Sequence, residues 1–232
     1  MSKAGKRKLK KEVVYVLAGI LALLCIIAVI LIYTHMNRFE YTKSLNEIVI
    51  TVNDTNISLK ELTYYIMQVE KTGNEYAKAY NPDNPTEYWN IYMNNATESG
   101  YVTDLAKEAA IDYCIRDNIY AIEAMNMGME LTAEEMSDIA YDAQMAYELM
   151  THKQRMMSEL TAEDFELIMT KEQLAYKYMA YLAENDKDGV LAAVVLKYDV
   201  DGSYYETLKI TYEIFINYDI LDYVKVGYVT IN

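Results

Sequence analysis

Beyond its carboxylates, the chain offers little for nucleophilic, metal or acid–base chemistry: two histidines and two cysteines in 232 residues. His35 and His152 sit in no metal-ligand spacing, and Cys114 has no neighbouring histidine that would draw off its proton. No glycine-rich phosphate loop is present. Asp199-Val200-Asp201-Gly202 has the acidic spacing of a calcium loop. Its first ligand position, however, falls on Lys197 and its twelfth on Leu208, both wrong for a hard cation, so it reads as a turn. Pairs of nearby acids such as Glu134 with Glu135 and Asp186 with Asp188 are commonplace among 35 acidic residues and read as solvated faces. Asn53, Asn56 and Asn95 open glycosylation sequons, which an Asn-rich chain produces by chance. These residues predict no catalytic group, no metal and no cofactor, and a protein that is not an enzyme.

The residues in excess are 24 tyrosines and 14 methionines, against three phenylalanines. Methionine adapts to irregular apolar partners, and tyrosine joins a broad apolar face to a polar tip. Tyr64, Tyr65, Met67, Tyr141, Met145, Met156, Met169, Tyr176 and Met179 all fall on predicted helices. Taken singly each reads as core. Together they predict a groove able to accept many apolar sequences.

Four helices must position those side chains. Ser58-Leu59-Lys60-Glu61 and Thr132-Ala133-Glu134-Glu135 match the capping box, and Thr161-Ala162-Glu163-Asp164 is an Asp-ended version. They predict helices over 58–70, 132–157 and 161–184. A further helix, 103–127, carries the stripe Ile111, Ile115, Ile119 and Ile122 with Cys114 beside it, and Gly128 marks its end. It is the most clearly amphipathic of the four and the expected centre of the domain. The only two prolines, in Asn81–Pro85, mark a loop. Glu47–Val52 predicts a short strand closed by a turn at Asn53–Asn56. After Asp188-Gly189 the character changes. Leu208–Ile216 alternates with period two and Tyr223–Ile231 gives a second strand, so a small C-terminal antiparallel element is expected. Val190–Tyr198 fits either a strand or a helix.

Val13–Tyr33 is 21 residues without a charge. At about 1.5 Å per residue it would cover roughly 30 Å, the thickness of a bilayer's hydrocarbon core. Six basic residues precede it and only Arg38 and Lys43 follow closely, which predicts a cytoplasmic tail and an outer C-terminal domain. No small-residue cleavage site follows Tyr33, so the run reads as an uncleaved signal anchor in the lipid bilayer rather than a cleaved signal peptide. Residues 1–12 carry +5 and the whole chain −14, leaving −19 beyond the run. Such acidity argues against nucleic acid as a partner.

Val52-Asn53-Asp54-Thr55-Asn56-Ile57-Ser58, followed by an aromatic-rich helix, resembles the opening of the N-terminal chaperone module shared by SurA- and PrsA-type foldases. Asp104–Met136 resembles the same module further along. Ala124 and Gly128 supply its Ala-x-x-x-Gly helix end, followed by Leu131 and the Thr132/Glu135 cap, and Thr161–Glu184 is similar to its returning helix. The resemblance covers residues 47–184 and implies a SurA N-terminal-like helical domain that holds unfolded clients. Two features depart from the family. Ala22-Leu23-Leu24-Cys25 places leucine where the lipid-acceptor motif of PrsA-like proteins needs a small residue. The histidines and cysteine of a parvulin isomerase site are absent, and Tyr223–Asn232 resembles at most the first strand of such a domain, so isomerase activity is not implied.

The expected protein is therefore mainly α (α+β), with a basic tail (1–12), a transmembrane anchor (13–33), a connector (34–46), a helical chaperone-like domain (47–188) and a β-rich C-terminal segment (189–232). Its expected function is membrane-anchored, extracytoplasmic binding of unfolded or newly exported polypeptides. The alternative is a structural or signalling ectodomain that binds one folded partner through its C-terminal sheet edge.

Overall fold

Ile48–Val52 forms strand β1 and turns at Asn53, which takes the left-handed conformation (φ 49°), into β2 (Thr55–Ser58). In the computed structural model, which describes residues 20, 23–29, 39–94, 99–186 and 196–227, this hairpin opens the unit formed by residues 41–232. Ser58 caps helix α1 (Leu59–Tyr80) by accepting a hydrogen bond from the Glu61 amide at 3.2 Å. A short helix α2 (Thr86–Trp89) follows the proline loop and leads into a second hairpin, β3 (Tyr92–Asn94) and β4 (Ser99–Tyr101).

Helix α3 (Val102–Asn126) is the expected centre. Ile111, Cys114, Ile115 and Ile119 are all buried, and so are Thr103, Lys107 and Tyr120 on other faces. It is less one-sided than the isoleucine stripe suggests, because α1, α6 (Ala162–Asn185) and the C-terminal segment all pack on it. Fully burying each Ile or Leu contributes roughly 1.5–3 kcal/mol. Gly128 (φ 73°) ends α3: its amide bonds the Met125 carbonyl while the Met129 amide bonds Ala124, so two terminal carbonyls are satisfied. The capping boxes at Thr132 and Thr161 form as the sequence specifies. The helix expected over 132–157 is instead two, α4 (Ala133–Leu149) and α5 (His152–Ser158). The break falls at Thr151, whose hydroxyl and Gln154 build a further capping box.

The C-terminal segment departs most from expectation. The first two residues of the alternating run, Leu208 and Lys209, end helix α7 (Ser203–Lys209), which buries Tyr205 against Tyr120 of α3 with ring centroids 5.9 Å apart. Within that run only β5 (Ile214–Ile216) forms a strand, and it pairs antiparallel with β1 (Ile50 with Ile216, Val52 with Ile214). The sheet order is therefore β2-β1-β5, and the expected C-terminal antiparallel element is corrected: its strand completes the N-terminal hairpin. After a short helix α8 (Tyr218–Leu221), residues Tyr223–Gly227 run without strand pairing. Lys107 donates to the Leu221 carbonyl (3.1 Å), Thr103 to that of Val226 (2.8 Å), and the Gly227 amide donates to buried Glu70 (2.5 Å). Of Val190–Tyr198, Leu196–Tyr198 is helical; the rest of that run, and residues 228–231 of the second expected strand, lie outside the described residues.

The single transmembrane helix, and the single-pass, extracytoplasmic placement drawn from it, are also corrected. Among the described residues no helix is long and apolar enough to cross a membrane. Of the expected span Val13–Tyr33, the described part is Ile20 and the helical stretch Leu23–Val29. At about 1.5 Å per residue that stretch covers about 10 Å, against the roughly 30 Å of a hydrocarbon core. The remainder of the span lies outside the described residues.

Candidate functional site

Two concave surfaces flank α3. The first is a cleft of about 380 Å³ between α3, α4 and α6. Ile139, Met169, Met179 and Tyr176 supply its apolar wall, and Arg116, Asp117, Asp142 and Glu172 its charges. Arg116 is held from two sides, by Asp117 (Nε to Oδ1, 2.8 Å) and Asp199 (Nη1 to Oδ1, 2.5 Å), and its guanidinium lies 5.1 Å from the ring centre of Tyr113. Tyr64, on α1, donates its hydroxyl to Glu172 Oε2 at 2.6 Å. Burial pushes the Glu172 carboxyl up to about 7, opposed by the hydrogen bond from Tyr64. Burial likewise raises Asp117, against the pull of Arg116. Behind the cleft, Lys171 joins Glu61 (2.6 Å) and Asn118 (3.1 Å).

Two further depressions follow one another along α6, the first adjoining this cleft and the second adjoining the first. The first shares Gln173 and Tyr176 with the cleft and adds Met129 and Tyr181; the second shares Met129 with the first and adds Met125 and Met136. Among the described residues no group of three or more metal-ligating side chains converges. Cys114 is fully buried, and burial raises its thiol well above the ordinary range, which keeps it protonated and inert.

The nine residues singled out by type do not form one groove. Met169, Tyr176 and Met179 meet in the cleft. Tyr64 and Tyr65 are core residues, packed edge to face with centroids 5.3 Å apart, and Tyr64 also meets Phe165 at 5.6 Å. Met67 is half-buried on α1, while Tyr141 and Met145 on α4 and Met156 on α5 are exposed. Part of the tyrosine excess serves the core: Tyr120, Tyr178, Tyr198 and Tyr205 are buried along with Tyr64 and Tyr65, while ten other tyrosines are exposed. Where α3 meets the C-terminal segment, Tyr120 donates to the Tyr198 carbonyl at 2.6 Å and Tyr198 to Asp186 at 2.8 Å, whereas the buried hydroxyl of Tyr205 has no hydrogen-bond partner among the described residues.

The second surface is a groove of about 470 Å³ between α1, α2, the β3–β4 hairpin and α3. Val69, Thr72, Gly73 and Tyr76 come from α1, and Val102, Leu105, Ala106, Ala109 and Tyr113 from α3. Tyr88, Trp89 and Met93 close one end. No charged side chain lines it, in a protein of net charge −14. Its floor depends on Gly73. A Cβ there would stand 2.4 Å from Trp89 Cη2, so only glycine lets the indole lie against α1. At its other end the same ring is pressed by Gly227 (φ 96°), where a Cβ would come within 2.4 Å of Cδ2 and Cγ. Trp89 is thus buried, whereas Tyr76 (62% exposed), Tyr113 (39%) and Met93 (37%) stand at the rim.

Sequence reasoning missed this groove, although its signal was present. Positions 69, 72, 73, 76 and 102, 105, 106, 109, 113 follow helical spacing, so each set lies on one helix face. No protein-family model, curated protein or solved structure matches the chain.

Proposed function

We propose that the protein binds unfolded polypeptides, holding their apolar side chains in the groove between α1 and α3. One observation carries this reading: the groove is open, uncharged and rimmed by exposed aromatic and methionine side chains on an otherwise strongly acidic protein. Exposed apolar concavities of this kind mark binding surfaces. An apolar segment gains burial against Val69, Leu105 and Ala109, while the surrounding acid keeps the complex in solution and favours segments that are not themselves acidic. The resemblance of residues 47–184 to foldase chaperone modules points the same way. The test is light scattering by a denatured model enzyme diluted into the full-length protein. Suppression is expected from the wild type and its loss from Ala109→Glu, which places a carboxylate on the groove wall. Wild-type protein that gives no suppression at several-fold excess overturns the reading.

The sheet edge supports a second reading. Among the described residues β5 pairs on one side only, and its central residue Phe215 is 63% exposed. A folded partner could add a strand there. Phe215→Lys separates the two readings, since it leaves polypeptide binding intact under the first and removes partner capture under the second. Deleting residues 190–232 does not separate them, because β5 and the contacts of residues 221–227 with α1 and α3 would go too.

A further inference from the structure

The cleft and the groove adjoin through two helices. On α3, Tyr113 lines the groove and lies against the Arg116 guanidinium of the cleft. On α1, Gln68 lines the groove one turn from Tyr64, which bonds Glu172 in the cleft. We propose that the cleft receives a lysine or arginine side chain of the polypeptide lying in the groove, so that the protein selects apolar segments carrying a positive charge. This inference rests on the polypeptide-binding reading above.

Shape and charge both support a cationic, amphipathic side chain. Ile139, Met169 and Met179 offer a wall for its methylene stem. Glu172 sits half-buried at the end of that wall, with Oε2 taken by the Tyr64 hydroxyl and no cation within ion-pair distance among the described residues. Arg116 cannot fill that role, because Asp117 and Asp199 already hold its guanidinium. Asp142, exposed at the mouth, adds a second acceptor, so the unbalanced charge of the cleft is negative. The groups around Glu172 are Arg116 and Asp117 from α3, Asp142 from α4, Tyr64 from α1 and Gln173 from α6; none of them supplies a free positive charge. Desolvation raises the proton affinity of Glu172, only partly opposed by the Tyr64 hydrogen bond and the Arg116 charge, and an entering ammonium or guanidinium would lower it.

The test is fluorescence anisotropy with the full-length protein and two labelled leucine–serine peptides, one with a central lysine and the other with norleucine in its place. At about pH 8 the lysine peptide is expected to bind about tenfold more tightly, the scale of one hydrogen-bonded charge pair. Glu172→Gln removes that preference and leaves the norleucine affinity unchanged, which also shows that the variant is folded. Glu163→Gln, an equal loss of charge at an exposed position of α6, keeps the preference. Equal binding of the two peptides by the wild type overturns the inference, as does a preference that survives Glu172→Gln or is lost equally in Glu163→Gln. Failure of the wild type to bind either peptide overturns the polypeptide-binding reading itself, and this inference with it.

Discussion

Replacing Gly73 with alanine tests whether the groove's floor is built as described. In most helix interiors this change stabilises by about 1 kcal/mol, because alanine restricts the unfolded chain and favours the helix. Here the new methyl group would stand 2.4 Å from Cη2 and 2.9 Å from Cζ2 of Trp89. Carbon atoms in contact prefer about 3.5–4.0 Å, so the indole must retreat by about 1 Å. The backbone of Gly227 presses the other end of the ring, which leaves no simple retreat. Overpacking of a filled site costs about 1–3 kcal/mol, and with both ends of the ring held the upper part of that range applies. Set against the helix gain, the expected net loss is about 2 kcal/mol. Urea unfolding followed by intrinsic fluorescence measures it, and Trp89, the only tryptophan, reports from the floor itself. The slope against urea is expected to hold while the midpoint falls. A Gly73→Ala protein as stable as the wild type, or more so, refutes the packing of Trp89 against α1.

The Glu172 carboxyl, raised to about 7 in the fold, makes stability depend on pH. Its proton is bound more tightly in the folded than in the unfolded state, so this contribution is full below the ordinary glutamate range and is lost as pH rises through about 7. Glu172→Gln should flatten the stability profile over that window and raise stability at about pH 8, by about 1–3 kcal/mol as for relief of a buried, unpaired charge; urea midpoints across pH measure both. Thr151→Ala should cost about 1 kcal/mol by removing the cap of α5, read from thermal unfolding. Tyr64→Phe removes the hydroxyl that stabilises ionised Glu172, so the carboxyl should titrate at still higher pH, followed by its side-chain carbon resonance in NMR.

The helical frame was legible wherever local chemistry decides it. Thr132 with Glu135, Thr161 with Asp164, and Gly128 each act within a few residues, and each does in the fold what its spacing predicts. Thr151 uses the same chemistry, but an unbroken helical pattern on both sides hid it. Helix α1 runs to Tyr80 rather than ending near 70, and its second half is packed by a residue distant in sequence, Trp89 against Gly73. Leu208–Ile216 alternates like a strand, yet burial of Tyr205 against α3 favours helix up to Lys209, and only the residues facing β1 extend. The site was sought through large, conspicuous residue types. The tyrosines divide between core, as at Tyr64 and Tyr120, and scattered exposed positions, as at Tyr80 and Tyr141, and the groove is framed by small residues, Gly73, Ala106 and Ala109, whose meaning depends on what folds over them.

Site-specific photocrosslinking tests most directly whether the groove between α1 and α3 holds polypeptide. A benzophenone side chain is placed in turn at Tyr76, on the groove rim, and at Phe215, on the exposed face of β5, and each full-length protein is irradiated with a labelled unfolded protein. Crosslinking from position 76 that an excess of unlabelled unfolded protein suppresses, with little from position 215, is the expected result. Crosslinking from position 215 alone, or from neither position, contradicts it.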